Sequence, residues 1–140
     1  MRKKADPRHT SRRLALSYIF CWLFTEPNAQ SCMLLSKETI KENENLEYDE
    51  DLLNSIITGV KDHSDQLNSI IEECAPEWPL DKIAKIDLVI LRIAIFELLH
   101  TKTPKKVAID EAVEMAKEFG NDTSHKFVNG VLGTVVEKYV

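Results

Sequence analysis

The sequence predicts an all-α protein: a single domain of about seven helices without strands. Apolar residues recur through most of the chain at the three- and four-residue spacing of amphipathic helices. The 140 residues include only four glycines and five prolines, which leaves little room for the turns of a β-sandwich. Strand and helix patterns do not alternate, and this excludes Rossmann-like and P-loop proteins.

The first helix is predicted from an apolar run that extends from Leu14 to Phe24. Its apolar residues cover most of the helix circumference, so we expect it to be buried between other elements. The segment Glu26-Pro27-Asn28 ends it, because proline disfavours helical geometry in the residue before it. Residues 36–50 are polar, and they predict a weak helix followed by a loop.

Two amphipathic helices are predicted in the middle of the chain. The first starts near Asp49, and its apolar face consists of Leu52, Leu53, Ile56, Ile57 and Val60. In the second, the apolar face consists of Leu67, Ile70, Ile71 and Cys74. Asp62 or Ser64 is available as the N-cap between them, so the two helices form a helical hairpin.

A central helix is predicted from Leu80 to Leu99, after prolines 76 and 79 break the chain. Its dense apolar content requires burial on nearly all sides. We expect Trp78 to pack as a lid near its start.

Two further helices complete the predicted fold. Thr103 is expected to cap the first, with Pro104 in its opening turn and Gly120 as the residue that ends it. Residues 121–123 offer caps for the final helix. Asn129 and Gly130 lie inside this helix, where a glycine usually permits a close helix crossing, so a packing role is predicted for them.

The charge of the chain is unevenly distributed. Residues 1–13 hold six basic side chains and one acidic one, a net charge of +5, whereas the whole chain has −5 and the remainder therefore −10. This asymmetry indicates a polyanionic partner for the basic end. The alternative is a solvated tail without a partner. We divide the chain into a basic arm, residues 1–10, and a helical domain, residues 11–140.

The arginines before the apolar run also permit a different interpretation, an export signal. Ser11-Arg12-Arg13-Leu14-Ala15-Leu16 is similar to a twin-arginine motif. However, the later helices need an apolar helix of this kind to pack against in the core, and no Ala-x-Ala cleavage site follows the run. The buried-helix interpretation is therefore preferred, and the apolar run is too short for the roughly 20 residues that cross a bilayer.

Cysteines and histidines indicate no special site. Cys21, Cys32 and Cys74 form no CxxC pair, so neither a disulfide framework nor a zinc site is predicted, and a reducing cytosol is the simpler setting. The four histidines are isolated in sequence, and we predict no metal and no cofactor: His9, His63, His100 and His125.

Four stretches of the sequence resemble the NusB family of bacterial transcription antitermination factors. They are "SRRLALSYIFCW", "LLNSIITGV", "KIDLVILRIAIFEL" and the C-terminal "TPKKVAIDEAVEMAKEFGNDTSHKFVNGVLGTVVEKY". Together they cover essentially the whole chain in one order. The resemblance implies two packed three-helix groups and a cytoplasmic protein without catalytic activity.

The resemblance also implies the partners. Relatives bind a short single-stranded boxA-type RNA in ribosomal RNA leader transcripts, together with NusE, which is ribosomal protein S10. The expected setting is the transcription elongation complex. Asp87 matches an acidic position that is expected to face the protein partner.

Four RNA-binding residues are implied in the first helix and before it. Arg8 and Arg12 match family arginines, and a helix that extends backward would place them on one face. Arg13 lies where relatives often have glutamate. Phe20 matches a frequent tyrosine, and either stacking on RNA or a core position is consistent with its surroundings.

Three more RNA-binding residues are implied at the start of the last helix. Phe127 is either a core residue or an exposed ring that stacks on an unpaired base. Beside it, Lys126 would meet a phosphate. Thr123 precedes free N–H groups that favour anions, and it is equally suited to ordinary capping.

Two alternatives come from other classes of protein. The same helical fold occurs at the N-terminus of ribosomal RNA cytosine methyltransferases, but 140 residues leave no space for their catalytic domain, and no glycine-rich cofactor loop is visible. Self-association is the other alternative, in which a homodimer covers the RNA-binding surface.

Overall fold

A computed structural model of the protein describes residues 6–24, 32–33, 36–38 and 47–140. All regular secondary structure within these ranges is helical, which confirms the predicted all-α class. The α-helices whose bounds lie within these ranges are α1 (Pro7–Phe24), α2 (Glu50–Asp62), α3 (Ser64–Cys74), α4 (Lys85–His100), α5 (Lys105–Phe119) and α6 (Ser124–Tyr139), and a 3-10 helix spans Leu80–Lys82. Residues 32–33 and 36–38 are helical as well. Among these helices, none combines the length and apolar content that crossing a membrane requires.

The chain divides into two compact units, residues 1–58 and residues 59–140, and the boundary falls inside α2. In the first unit, α1 begins at Pro7, so residues 7–10 of the expected arm are helical. Asp6 caps this helix, because its Oδ1 accepts a hydrogen bond from the backbone N–H of Arg8 at 2.9 Å. The predicted burial of the helix is confirmed for Leu14, Ala15, Leu16, Tyr18 and Ile19, whereas Trp22 and Leu23 near its end are exposed.

Ser11 connects α1 to the start of α2 within the first unit. Its hydroxyl donates a hydrogen bond to the carbonyl oxygen of Asp49 at 2.7 Å and accepts one from the backbone N–H of Asp49 at 2.6 Å. Asp49 in turn caps α2, since its Oδ1 accepts a hydrogen bond from the backbone N–H of Leu52 at 3.0 Å. Polar bonds therefore fix where α2 begins.

Cys21 and Cys32 form a disulfide in the first unit, and their Cα atoms are 5.8 Å apart. The sequence-based prediction of no disulfide is therefore wrong for this pair. The two cysteines are 11 residues apart without a recognisable motif, so the pairing cannot be read from the sequence alone. Cys74 is a free, buried thiol, and burial is the main cause that raises its pKa.

In the second unit, α4 lies at the centre and contacts α3, α5 and α6. Val89, Ile90, Leu91, Ile93 and Ile95 have no accessible surface. The predicted central helix is thus confirmed, although its first residues form the separate 3-10 turn. Burial of such side chains contributes roughly 1.5 to 3 kcal/mol each to folding.

The predicted cap of α5 is wrong in one respect. Pro104 occupies the N-cap position, and no side chain makes a capping hydrogen bond there. The hydroxyl of Thr103 instead donates to Oε1 of Glu97 at 3.1 Å, and Glu97 is only 1% exposed. A buried carboxylate needs hydrogen-bond donors more than an exposed helix end does, which accounts for the difference.

Candidate functional site

Two aromatic rings in the second unit form the edge of a cleft. Trp78 precedes the 3-10 turn, and Phe127 lies in the first turn of α6. Their ring centroids are 6.3 Å apart, and the planes meet at 76°, an edge-to-face arrangement. Trp78 is 51% exposed, so it does not pack as the closed lid that the sequence suggested. Phe127 is half-buried.

Prolines place Trp78 at this position. The backbone N–H of Trp78 donates to the carbonyl oxygen of Ala75 at 3.0 Å, which closes a turn directly after α3. Pro79 then has φ −55° and ψ 148°, an extended conformation that redirects the chain into the 3-10 turn. The sequence Pro76-Glu77-Trp78-Pro79 therefore cannot continue α3, and it leaves the indole exposed.

The cleft has a volume of about 210 Å³, and Trp78, Lys82, Asp87, Thr123 and Phe127 are among its lining residues. Lys82 is an exposed cation at its side. Asp87 comes from the first turn of α4 and is 6% exposed, and its Oδ1 has no hydrogen-bond partner among the described residues. Burial raises the pKa of the Asp87 carboxyl, whereas a hydrogen bond from the side chain of Ser124 acts in the opposite direction.

The segment before α6 holds Thr123 in place. Oδ1 of Asn121 accepts hydrogen bonds from both the backbone N–H and the hydroxyl of Thr123, each at 2.9 Å. The backbone N–H of Asn121 donates to Oγ of Ser124 at 3.0 Å. Thr123 occupies the N-cap position without a capping side-chain bond, so its hydroxyl is committed to Asn121.

Gly120 allows this close arrangement. It directly follows the last residue of α5, as the sequence predicted, and its φ of −91° lies outside the left-handed region. A Cβ at Gly120 would lie 2.4 Å from Oγ of Ser124. Glycine is therefore required because the Ser124 side chain approaches the backbone, not because of backbone conformation.

A second depression lies on the other side of Phe127. It has a volume of about 310 Å³, and Pro76, Lys126 and Gly130 contribute to its lining. Gly130 is exposed, and a Cβ there would meet nothing within 4 Å among the described residues. The helix crossing predicted at Gly130 is wrong for this chain, and the glycine instead leaves an open surface beside Lys126.

The remaining sequence-predicted RNA contacts lie on α1, in the first unit. Arg8 is exposed, whereas Arg12, one turn later, is only 4% exposed. Arg13 and Phe20 are half-buried, and both interact with other groups of the chain, as Arg12 does. Arg8 therefore offers the most accessible guanidinium of the three arginines, and the RNA-binding role of all four residues stays a prediction.

Thus Thr123, Lys126, Phe127 and Asp87 come together around one pair of rings. Sequence analysis did not single out Lys82, because an exposed lysine in a short turn has no distinguishing pattern. It also treated His63 and His100 as isolated, although their rings stack with centroids 3.9 Å apart. Within the described ranges, no group of three or more histidine, cysteine or acidic side chains is placed to hold a metal ion.

Comparison with known proteins assigns the chain to a family. The sequence model of the NusB family matches residues 9–137. The transcription antitermination protein NusB of Chloroflexus aggregans is 43% identical over 97% of this chain and 91% of its own length, and that of Roseiflexus castenholzii is 41% identical over 96% and 95%.

Solved structures agree with this assignment. The T. maritima NusB structure has a TM-score of 0.77 and 29% identity, and the match covers 96% of this chain and 94% of that one. A crystal structure of antitermination factors NusB and NusE in complex with dsRNA has a TM-score of 0.75 and 21% identity, over 94% and 96% of the two chains, and supports the fold. From the family match, the sequence identity and the fold together, we conclude that this chain belongs to the NusB family.

Proposed function

We propose that this protein is a transcription antitermination factor that binds single-stranded boxA-type RNA of ribosomal RNA leader transcripts together with NusE, in the cytoplasm. Membership in a family of antitermination proteins supports the class of function. The observation that carries the RNA-binding part is the pair of an exposed Trp78 and a half-buried Phe127, with Lys82 and Lys126 nearby.

The chemistry of this surface suits an unpaired nucleic acid. Base-to-aromatic stacking requires accessible ring faces, and Trp78 and Phe127 offer them at the edge of a cleft. Lys82 lines the cleft and Lys126 lies beyond Phe127, so both are near enough to attract the phosphates of a strand that crosses the rings. Bases in a duplex are already stacked, so a single strand is the favoured ligand.

The start of α1 provides a further positive region in the first unit. Arg8 is exposed, and Arg12 and Arg13 follow on the same helix. Guanidinium groups bind phosphate in bidentate fashion and keep their charge at all physiological pH values. We propose that Arg8 contacts the RNA backbone, with a smaller contribution from Arg13, and that Arg12 acts mainly through its buried position.

NusE is the proposed protein partner, and the transcription elongation complex is the proposed setting. A structurally similar NusB has been crystallised with NusE and dsRNA, which supports the pairing. Contact between Asp87 and this partner stays a sequence-based prediction. Because Asp87 is only 6% exposed, a partner would have to insert a side chain into the cleft to reach it.

Fluorescence anisotropy tests the proposal directly. A boxA-like single-stranded RNA and a scrambled RNA are each titrated with the protein, with and without NusE, at low and physiological salt. We expect tighter binding to the boxA-like RNA and a further gain with NusE. Equal binding to both RNAs that disappears at physiological salt would contradict the proposal, because it would indicate only a generic attraction between charges.

A matched pair of lysine variants locates the surface. Lys126→Ala should weaken binding and reduce the steepness of the salt dependence by the equivalent of about one phosphate contact. Lys106→Ala also removes one positive charge, but Lys106 lies in the first turn of α5, whereas Lys126 follows shortly after its last turn. This helix has 15 residues and is therefore about 22 Å long, which separates the two lysines. We expect this control to bind RNA like the unmodified protein.

Self-association is checked in the same samples. Light scattering after size exclusion, across a range of protein concentrations, distinguishes a monomer from a homodimer. A dimer that dissociates when RNA is added would indicate that the two processes compete for one surface. A monomer at every concentration would remove the homodimer from consideration.

A further inference from the structure

We propose that Asp87 determines base specificity by accepting a hydrogen bond from the exocyclic amino group of one unpaired RNA base bound in the cleft beside Trp78 and Phe127. This proposal rests on the RNA-binding function proposed above. It names the chemical group that the cleft recognises, and it gives Asp87 a role different from the protein contact that the sequence suggested.

The first argument is an acceptor without a donor. Asp87 is 6% exposed, and its Oδ1 has no hydrogen-bond partner among the described residues. A buried polar atom normally has a partner, since leaving it unpaired costs the desolvation free energy of the group. Oδ1 itself has almost no accessible surface, but the residue lines the cleft, so a small rotation of the side chain would present this oxygen to a ligand with an N–H donor there.

The second argument is the size and shape of the cleft. Its volume of about 210 Å³ is below the roughly 300 Å³ at which pockets for drug-sized ligands begin. A single planar base is a suitable occupant, and the edge-to-face pair of Trp78 and Phe127 offers ring faces against which it can stack. A base held in this way would direct one edge toward the first turn of α4, where Asp87 lies.

The third argument is charge. An ionised Asp87 repels phosphate, so the nucleotide must enter with its base toward Asp87 and its phosphate toward solvent. Lys82 at the cleft and Lys126 on the other side of Phe127 are exposed cations that favour this orientation. Burial raises the pKa of the carboxyl, and a donor from the base would favour the charged form again.

A carboxylate oxygen discriminates between bases. Cytosine, adenine and guanine each present an amino group, whereas uracil has a carbonyl oxygen where cytosine has its amino group. Two oxygen acceptors facing each other repel. The cleft should therefore prefer an amino-bearing base over uracil at one position of the RNA.

The experiment removes amino groups from the RNA one at a time. In a boxA-like single-stranded RNA, each cytidine is replaced by uridine, each guanosine by inosine and each adenosine by purine riboside, and each RNA is titrated with the unmodified full chain. We expect one replacement to weaken binding about tenfold, and the others to have smaller effects. If no replacement weakens binding to this extent, the proposal is overturned without any change to the protein.

Asp87→Asn then assigns the effect to this residue. The side chain keeps its size, and thermal unfolding confirms that the variant is folded. We expect the sensitive replacement to change affinity less than twofold in Asp87→Asn, because the charged acceptor that favours an amino group is lost. After a cytidine-to-uridine replacement the amide can also donate to the carbonyl oxygen. Unchanged tenfold discrimination in this variant would overturn the proposal.

The experiments distinguish failure of the proposed RNA-binding function from failure of the Asp87 proposal alone. If the unmodified protein does not distinguish boxA-like from scrambled RNA, the proposed function fails, and the base-specific role of Asp87 fails with it. If RNA preference is present and depends on Phe127, but Asp87→Asn weakens binding of NusE in the absence of RNA and leaves base preference unchanged, only this proposal fails. Asp87 would then belong to the protein interface.

Discussion

The ring of Trp78 meets the ring of Phe127 edge to face, with centroids 6.3 Å apart and planes at 76°. The sequence left open whether Phe127 is a core residue or an exposed ring, and in the structure this ring is half-buried beside an exposed tryptophan. Both residues line the cleft and the second depression.

Phe127→Ala should weaken RNA binding by about 5- to 150-fold, the equivalent of the roughly 1 to 3 kcal/mol of one base-to-aromatic stack. We expect only a small decrease in melting temperature, because the ring is half-buried. Anisotropy and thermal unfolding measure the two effects on the same sample. Tyr139→Ala is the matched control: it removes a 42% exposed aromatic 12 residues later on α6, about 18 Å away. A large melting decrease with unchanged affinity would place Phe127 in the core.

Gly59→Ala should destabilise the second unit. A Cβ at Gly59 would lie 2.1 Å from the ring of Phe96, which is 5% exposed and has little space to move. Overpacking of this kind costs about 1 to 3 kcal/mol. Gly133→Ala on α6 is the control, because a Cβ there meets nothing within 4 Å among the described residues, and alanine in a helix is favoured by about 0.5 to 1 kcal/mol. The urea midpoint of unfolding should therefore fall in Gly59→Ala and rise in Gly133→Ala. A higher midpoint in both variants would contradict the close packing of Phe96 against Gly59.

The stability of the second unit should fall as the solution becomes acidic. His63 and His100 stack at 3.9 Å, and Nε2 of His100 lies 2.7 Å from Oε1 of Gln66. Burial and the charge of His63 lower the pKa of His100, so the fold favours the neutral imidazole. The resulting stability is present above the unfolded-state pKa of about 6.5 and is lost as pH falls below it.

Urea unfolding midpoints between pH 8 and pH 5 measure this effect. Lys61, Asp62 and Asp65 surround the same ring pair, and the two carboxylates oppose the effect by favouring protonated histidine. We expect a shallower decrease below pH 6.5 in His100→Gln than in the unmodified protein, with His125→Gln as the control that removes a histidine outside the stack. Identical profiles for all three proteins would show that the stack does not couple protonation to folding.

The disulfide predicts a defined thiol count. Denatured under non-reducing conditions, the protein should expose one reactive thiol, Cys74, and after reduction three. Cys21→Ser should lower the free energy of unfolding by about 2 to 3 kcal/mol, as expected for a loop of this length. Reductant should affect the unmodified protein but not this variant. Three reactive thiols before reduction would show that the bond does not form in solution.

The limits of sequence analysis are visible at particular residues. Helical spacing predicted α2, α3 and the buried α4 because apolar periodicity is a local property of the chain. Helix ends were less accurate: Thr103 was expected to cap α5, but its hydroxyl binds Glu97. Gly130 was expected at a helix crossing, but it lies on an open surface. Whether Thr103 caps a helix, and whether Gly130 faces another helix, depends on contacts with residues of other helices.

The helical class, the positions of most helices and the family follow from the sequence, because composition, periodicity and motifs of neighbouring residues are local properties of the chain. The packing of distant segments, by contrast, makes Trp78, Lys82 and Asp87 share a cleft with Thr123 and Phe127, buries Arg12 but not Arg8, and pairs Cys21 with Cys32. Exposure, pairing and hydrogen-bond satisfaction arise when segments far apart in the chain pack together, and no local pattern encodes which of them will meet.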